Sequence, residues 1–264
     1  MTKKLLVIVN TLSLIAVIII NYLAATGGIN NQTVAEVSRR YETLFTPAGY
    51  AFSIWVLIYF GLISFTGFQW YSIVKQRNLE VIEKTALFFL TANLANIGWI
   101  FLWLYDYIGL AVIAIVILLL CLIKIIQQLD MEMWDAPVRI IFFVWWPFAI
   151  YFGWIITALT ANVAAYLTFL RWDGSPLNPD VWTIALIIIS TIIYILLIAK
   201  RNLRETAAVG VWALLAIAIK HGFNKLEITI TAITAATILI IIILYHGYKN
   251  IETSPIKKLM RGEF

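Results

Sequence analysis

The sequence predicts an all-α polytopic membrane protein with about eight transmembrane helices. Composition, the length of the uncharged runs and the placement of Lys and Arg carry that expectation. Of the 264 residues, 62% are hydrophobic and 12% are charged, and the mean hydropathy is +0.93. A soluble domain is nearer half apolar and a quarter charged. Apolar runs fall at about 5–25, 47–74, 85–105, 108–127, 139–161, 181–199, 206–221 and 228–247, each bounded by charges or turn formers. With the N-terminus inside, only Arg39, Arg40, Arg171, Lys220 and Lys225 fall in outer segments; the other fourteen of the 19 Lys and Arg lie inside. That bias predicts an even number of crossings with both termini cytoplasmic.

The first run follows Lys3 and Lys4 and has no small-x-small cleavage site before Gly27-Gly28, so it reads as an uncleaved span. A polar stretch of about 20 residues then leads to Pro47 and contains Arg39-Arg40-Tyr41-Glu42. It is long enough to fold over a pocket as a lid. The second run opens at Pro47, whose fixed φ suits a helix entry. Phe52, Trp55 and Tyr59 follow at i, i+3 and i+7, which stacks three aromatics on one helical face.

The third and fourth runs form a hairpin across Tyr105-Asp106-Tyr107. The third carries Asn93, Asn96, Trp99 and Trp103 on one face. Amides facing lipid are unfavourable, so that face points inward. In the fifth run Pro147 removes a backbone donor and predicts a kink near Phe143. Beyond it Tyr151, Trp154, Ala158 and Asn162 form a third polar-aromatic stripe. The turn-rich stretch 171–180 is the best boundary in the chain. The last three runs are Ile-, Leu-, Ala- and Thr-rich and read as packing helices.

Several chemistries are excluded at this stage. The single cysteine, Cys121, leaves neither an intrachain disulfide nor a thiolate metal cluster. The two histidines, His221 and His246, fall at opposite ends of their runs, about a bilayer apart, and cannot ligate one haem together. No histidine box or paired carboxylate lies within an apolar run, so no metal site and no catalytic residue is assigned. The basic residues sit at helix ends, which argues for lipid contact and against nucleic acid. Lys220 reads as an interfacial, snorkelling lysine.

The three stripes together resemble the TspO/MBR family, the tryptophan-rich sensory proteins related to the mitochondrial translocator protein. Pro47 to Tyr59 is similar to that family's second-helix motif, with Trp55 and Tyr59 in step and Tyr50 and Phe52 displaced by one residue. Asn96 and Trp99 match its third-helix N-x-x-W. Tyr151, Trp154 and Asn162 match its fifth-helix motif, with Ile150 where proline is usual. The motifs cover residues 1–168, read as a TspO-like five-helix transmembrane bundle. Residues 169–264 are a three-helix transmembrane extension with a short basic tail, outside that pattern.

The resemblance implies a pocket enclosed by five helices and capped by the loop after the first, lined by Tyr50, Phe52, Trp55, Tyr59, Asn96, Trp99, Tyr151, Trp154 and Asn162. It implies an integral protein of a bacterial inner membrane, able to form a homodimer. The expected function is a non-enzymatic or weakly catalytic receptor, sensor or carrier for a flat hydrophobic ligand, a porphyrin or haem, with no required cofactor. Two alternatives stand beside it: a small secondary transporter of a hydrophobic or amphipathic solute, and a light-dependent porphyrin-degrading enzyme.

Overall fold

The computed structural model describes residues 2–262. The chain is helical nearly throughout, in the order α1 (Lys3–Ala25), α2 (Val34–Arg40), a 3-10 turn (Gly49–Ser53), α3 (Ile54–Lys75), α4 (Leu79–Leu104) and α5 (Ile108–Gln128). There follow α6 (Val138–Ile140), α7 (Trp146–Phe169), α8 (Pro179–Arg201), α9 (Arg204–His221), α10 (Leu226–Lys249) and α11 (Pro255–Met260). Local chemistry explains many ends. Thr33 caps α2 in a reciprocal box with Glu36. Asn178 caps α8 with Pro179 in its first turn. Gln76 and Asn202 close α3 and α8 in the left-handed region.

Seven stretches are long and apolar enough to cross a membrane, including Gly49–Lys75 and Val138–Phe169. The remaining long helix, α9, has 18 residues but carries Arg204, Glu205 and Lys220 at its ends. At 1.5 Å per residue it is roughly 27 Å long, close to the thickness of a bilayer core. Side-chain contacts sort the connections into two faces. Lys3–Glu83, Asn202–Glu132 and Lys258–Asp135 join segments on one face. Arg40–Asp106, Lys220–Glu42 and Lys225–Asp180 join those on the other, the lid face. Thus α9 runs from face to face like its neighbours, and the two ends of the described chain share a face.

The second apolar run begins differently from the sequence expectation. Pro47 precedes a 3-10 turn, and α3 starts only at Ile54. Phe52 therefore lies outside the α-helix that carries Trp55 and Tyr59. The expected disturbance before Pro147 takes the form of a π-helical turn at Ile141–Trp145, where the Trp146 N–H donates to the Ile141 carbonyl. One extra residue in the turn absorbs the donor that proline lacks.

Helices α1, α3, α7, α5 and α4 pack in a closed ring in that order. Helix α9 lies against α7 outside the ring, and α10 closes on α9 and α8. The α7–α9 seam is tight because Gly153 brings the backbones together; a Cβ there would stand 2.5 Å from the Thr206 carbonyl oxygen. Thr206 Oγ1 donates to the Ala149 carbonyl (2.9 Å), and Tyr194 from α8 donates its hydroxyl to the Gly153 carbonyl (2.8 Å). The three C-terminal helices are bonded to the bundle through α7.

The lid spans both parts. Near its start, Asn30 donates to the Leu104 carbonyl (2.6 Å) and Trp103 to the Val34 carbonyl (3.3 Å). Arg40 and Tyr41 both bond the Asp106 carboxylate. At its other end Lys220 Nζ reaches Glu42 (2.6 Å) and the Thr46 carbonyl (2.9 Å), and His221 Nε2 bonds the Leu44 carbonyl (2.7 Å). Lys220 is thus a clamp on the lid as well as an interfacial cation.

Candidate functional site, an aromatic and amide cluster

The three stripes converge inside the ring between α3, α4 and α7. Trp55 and Tyr59, four residues apart on α3, stack at 5.5 Å with planes 23° apart. Trp55 also meets Tyr151 edge-on at 5.8 Å and Trp154 at 6.5 Å. Phe52 packs edge-on against Trp154 at 5.6 Å. Edge-to-face geometry aligns the positive rim of one ring with the negative face of the next, at about 0.5–1.5 kcal/mol per pair beyond burial.

Amides complete the polar contacts. Asn96 donates to the Tyr151 hydroxyl (3.3 Å) and accepts from Asn21 (2.8 Å), which also donates to the Val17 carbonyl. Trp99 donates its indole N–H to Asn162 (2.8 Å), and Asn162 in turn donates to the Ala158 carbonyl (2.8 Å). Trp99 stacks on Trp103 at 5.6 Å. Six of the nine expected residues, Phe52, Trp55, Tyr59, Asn96, Tyr151 and Trp154, thus form one connected set. Trp99 and Asn162 are bonded to each other one layer nearer the lid. Tyr50 is turned away: it is exposed and packs edge-on against Trp212 of α9 at 5.2 Å.

One donor in this cluster stands out. Trp154 is 2% exposed, yet among the described residues its Nε1 has no hydrogen-bond partner. A buried indole N–H without an acceptor costs free energy, on the order of 1–3 kcal/mol.

Two cavities open at the ends of the molecule, and neither is lined by the nine residues. The larger, of about 780 Å³, lies on the lid face between the lid, the end of α7 and the start of α8. The smaller, of about 250 Å³, lies on the opposite face and is bordered by Glu132, Glu205, Arg204 and Lys258. Burial pushes the Glu132 carboxyl up to about 8; the Glu205 carboxylate adds to this, and Arg204, Asn202 and Lys258 oppose it. These facing carboxylates come from a loop and the charged first turn of α9, which is why no apolar run contains a pair.

Sequence reading also passed over Asn21, Trp212, Trp172 and Trp182. Asn21 carried a usable signal, since an amide within an apolar run needs a partner. His221 and His246 do lie on opposite faces, bonded to the Leu44 carbonyl and to Asn202. Among the described residues no group of three or more His, Cys, Asp or Glu is placed to hold a metal.

Comparison with known proteins adds one match. A family model described as TSPO-like protein matches residues 7–245, a stretch that includes α8, α9 and most of α10. No curated protein and no solved structure matches the chain.

Proposed function

Because the chain belongs to the TSPO-like protein family, we propose that it is an integral membrane receptor, sensor or carrier that binds a flat hydrophobic ligand of the tetrapyrrole class. The observation that carries this reading is the convergence of Trp55, Tyr151 and Trp154 around an indole N–H that lacks an acceptor. Rigid rings offer π-faces to a macrocycle, and the Trp154 N–H and the Asn96 amide suit carboxylate or pyrrole acceptors. The cluster is closed by contact with Phe52. Entry of a macrocycle therefore requires the Gly49–Ser53 turn to swing from α7, and the Lys220 and His221 bonds to residues 42–46 oppose that movement. Once that turn has swung away, the exposed ring faces support noncovalent binding of a porphyrin ring; histidines on opposite faces do not fit axial ligation of haem by two imidazoles.

A second reading draws on Glu132. A carboxyl that holds its proton up to about 8 beside Glu205 would let a small carrier couple solute movement to protons. Uptake into proteoliposomes that follows an imposed proton gradient supports it; uptake indifferent to the gradient removes it.

The binding reading is tested by titrating the purified protein with protoporphyrin IX and haem, following tryptophan fluorescence and the Soret band. Saturable one-to-one quenching is expected, weakened at least about tenfold, or roughly 1.4 kcal/mol, by joint Trp55→Leu and Trp154→Leu. Equal affinity in the double variant refutes the assignment of these side chains.

A further inference from the structure

The larger cavity is built by parts of the chain that the aromatic cluster does not use. Its inner walls are mainly apolar: Phe45 is buried at 2% exposure, Leu167 and Leu186 are half-buried, and the buried Thr183 lies beside them. Its rim is polar and reaches solvent, with Trp172 at 40% exposure and the Glu42 side chain at 51%. At about 780 Å³ the space falls within the usual range for small-molecule sites, roughly 300–1,000 Å³. An apolar interior below a wet, charged rim suits an amphipathic molecule.

The sign of its charge follows from the groups present. The charged residues on the cavity are Glu42, Asp173 and Lys220. The three N–H groups of Lys220 face Glu42 (2.6 Å), the Thr46 carbonyl (2.9 Å) and the Thr43 carbonyl (3.4 Å). No Lys220 donor is left for an anion. His221 is engaged with the Leu44 carbonyl. Among the described residues Asp173 accepts from the Ser175 backbone N–H two residues on, which leaves carboxylate lone pairs at the rim. Beside it the Trp172 and Trp182 rings sit 5.2 Å apart at 60°, presenting two faces at an angle. Electron-rich indole faces with an adjacent carboxylate attract an organic cation.

That corner is held in place by its backbone. Gly174 has φ +87°, a region that L side chains rarely adopt, and a Cβ there would stand 2.8 Å from the Leu177 carbonyl oxygen. The Gly174 carbonyl accepts the Trp182 indole N–H at 2.6 Å, which fixes the ring against Trp172.

We propose that this cavity is a second binding site, distinct from the aromatic cluster, for a lipophilic organic cation. The apolar body lies against Phe45, Leu167 and Leu186, and the cationic centre lies between Asp173 and the Trp172–Trp182 pair.

The full-length chain in lipid nanodiscs is titrated with tetraphenylphosphonium and, in parallel, with tetraphenylborate, which has the same shape and the opposite charge. Binding to empty nanodiscs is subtracted from each. Saturable binding of the phosphonium is expected, with the borate at least tenfold weaker. Asp173→Asn should lower phosphonium affinity about tenfold, and Leu186→Trp, which fills the cavity, should abolish binding. Joint Trp55→Leu and Trp154→Leu should leave phosphonium binding unchanged. Asp173 is exposed, so its variant keeps the test decisive if Leu186→Trp fails to fold. Non-saturable phosphonium binding, equal binding of the borate, or full affinity in Asp173→Asn overturns the proposal. Loss of phosphonium binding in the Trp55/Trp154 variant with retention in Leu186→Trp also overturns it, and would assign the ligand to the aromatic cluster.

Discussion

The contact between the five-helix ring and the C-terminal helices rests on Gly153, and its replacement by alanine measures that contact. The added Cβ would stand 2.5 Å from the Thr206 carbonyl oxygen and 2.9 Å from Val209 Cβ. Both obstacles are backbone or the branch point of a stiff side chain, so no rotamer change clears them. Relief requires α7 and α9 to move apart by roughly 0.5–1 Å, which stretches the Thr206–Ala149 and Tyr194–Gly153 bonds, now 2.9 and 2.8 Å. Overpacking of this kind costs about 1–3 kcal/mol. Against it works the better helix propensity of alanine, about 1 kcal/mol. A net change of roughly 0–2 kcal/mol of destabilisation is left, and because Gly98→Ala carries the same gain in propensity, the midpoint of Gly153→Ala should lie several degrees below that of Gly98→Ala for a chain of this size. Gly98→Ala is the internal control, because a Cβ there meets nothing within 4 Å, and it should be neutral or slightly stabilising. Thermal unfolding in detergent, followed by tryptophan emission, reads both. A Gly153→Ala midpoint equal to that of Gly98→Ala would refute the tight seam.

Other expectations concern the two faces. Lys220→Met removes the clamp on residues 42–46, and amide hydrogen exchange there should speed up about tenfold, in line with the loss of charge-assisted bonds. Exchange in the α4–α5 hairpin should not change, and uniform protection across the lid would contradict the clamp. On the opposite face, Glu132 keeps its proton in the fold up to about 8, whereas its ordinary value is 4.5. The folded state therefore binds more protons than the unfolded state between those values. Stability should fall as pH rises through that window, by an amount on the order of a few kcal/mol. Glu132→Gln should flatten this dependence between pH 6 and pH 8.5, and an unchanged slope would mean that Glu132 is already ionised in the fold.

The membrane class, the order of the long helices and the shared facing of Trp55 with Tyr59, Asn96 with Trp99 and Tyr151 with Trp154 were legible in the sequence because each is a local or periodic property. The starts of α3 and α4 and both ends of α7, by contrast, fall six to eight residues from the expected ones. Uncharged length sets a span, and amides and aromatics three or four residues apart must share a face. Tyr50 and Phe52 escaped this logic: a 3-10 turn replaces the first α-helical turn after Pro47, so helical spacing does not apply to them. One of the two lies on Trp154 and the other on Trp212.

Only the tertiary structure decided which faces meet. The donors of Lys220 are spent on the lid, and Glu132 faces Glu205 across more than 70 residues of chain. The large cavity likewise draws its walls from the lid, α7, the turn before α8 and the end of α9. Periodicity within a helix fixes the direction of a side chain about its own axis and carries no information about the rotation or separation of the neighbouring helix. Those are set by close approaches such as Gly153 against Thr206, a contact between residues 53 positions apart that packing density, and no local rule, selects.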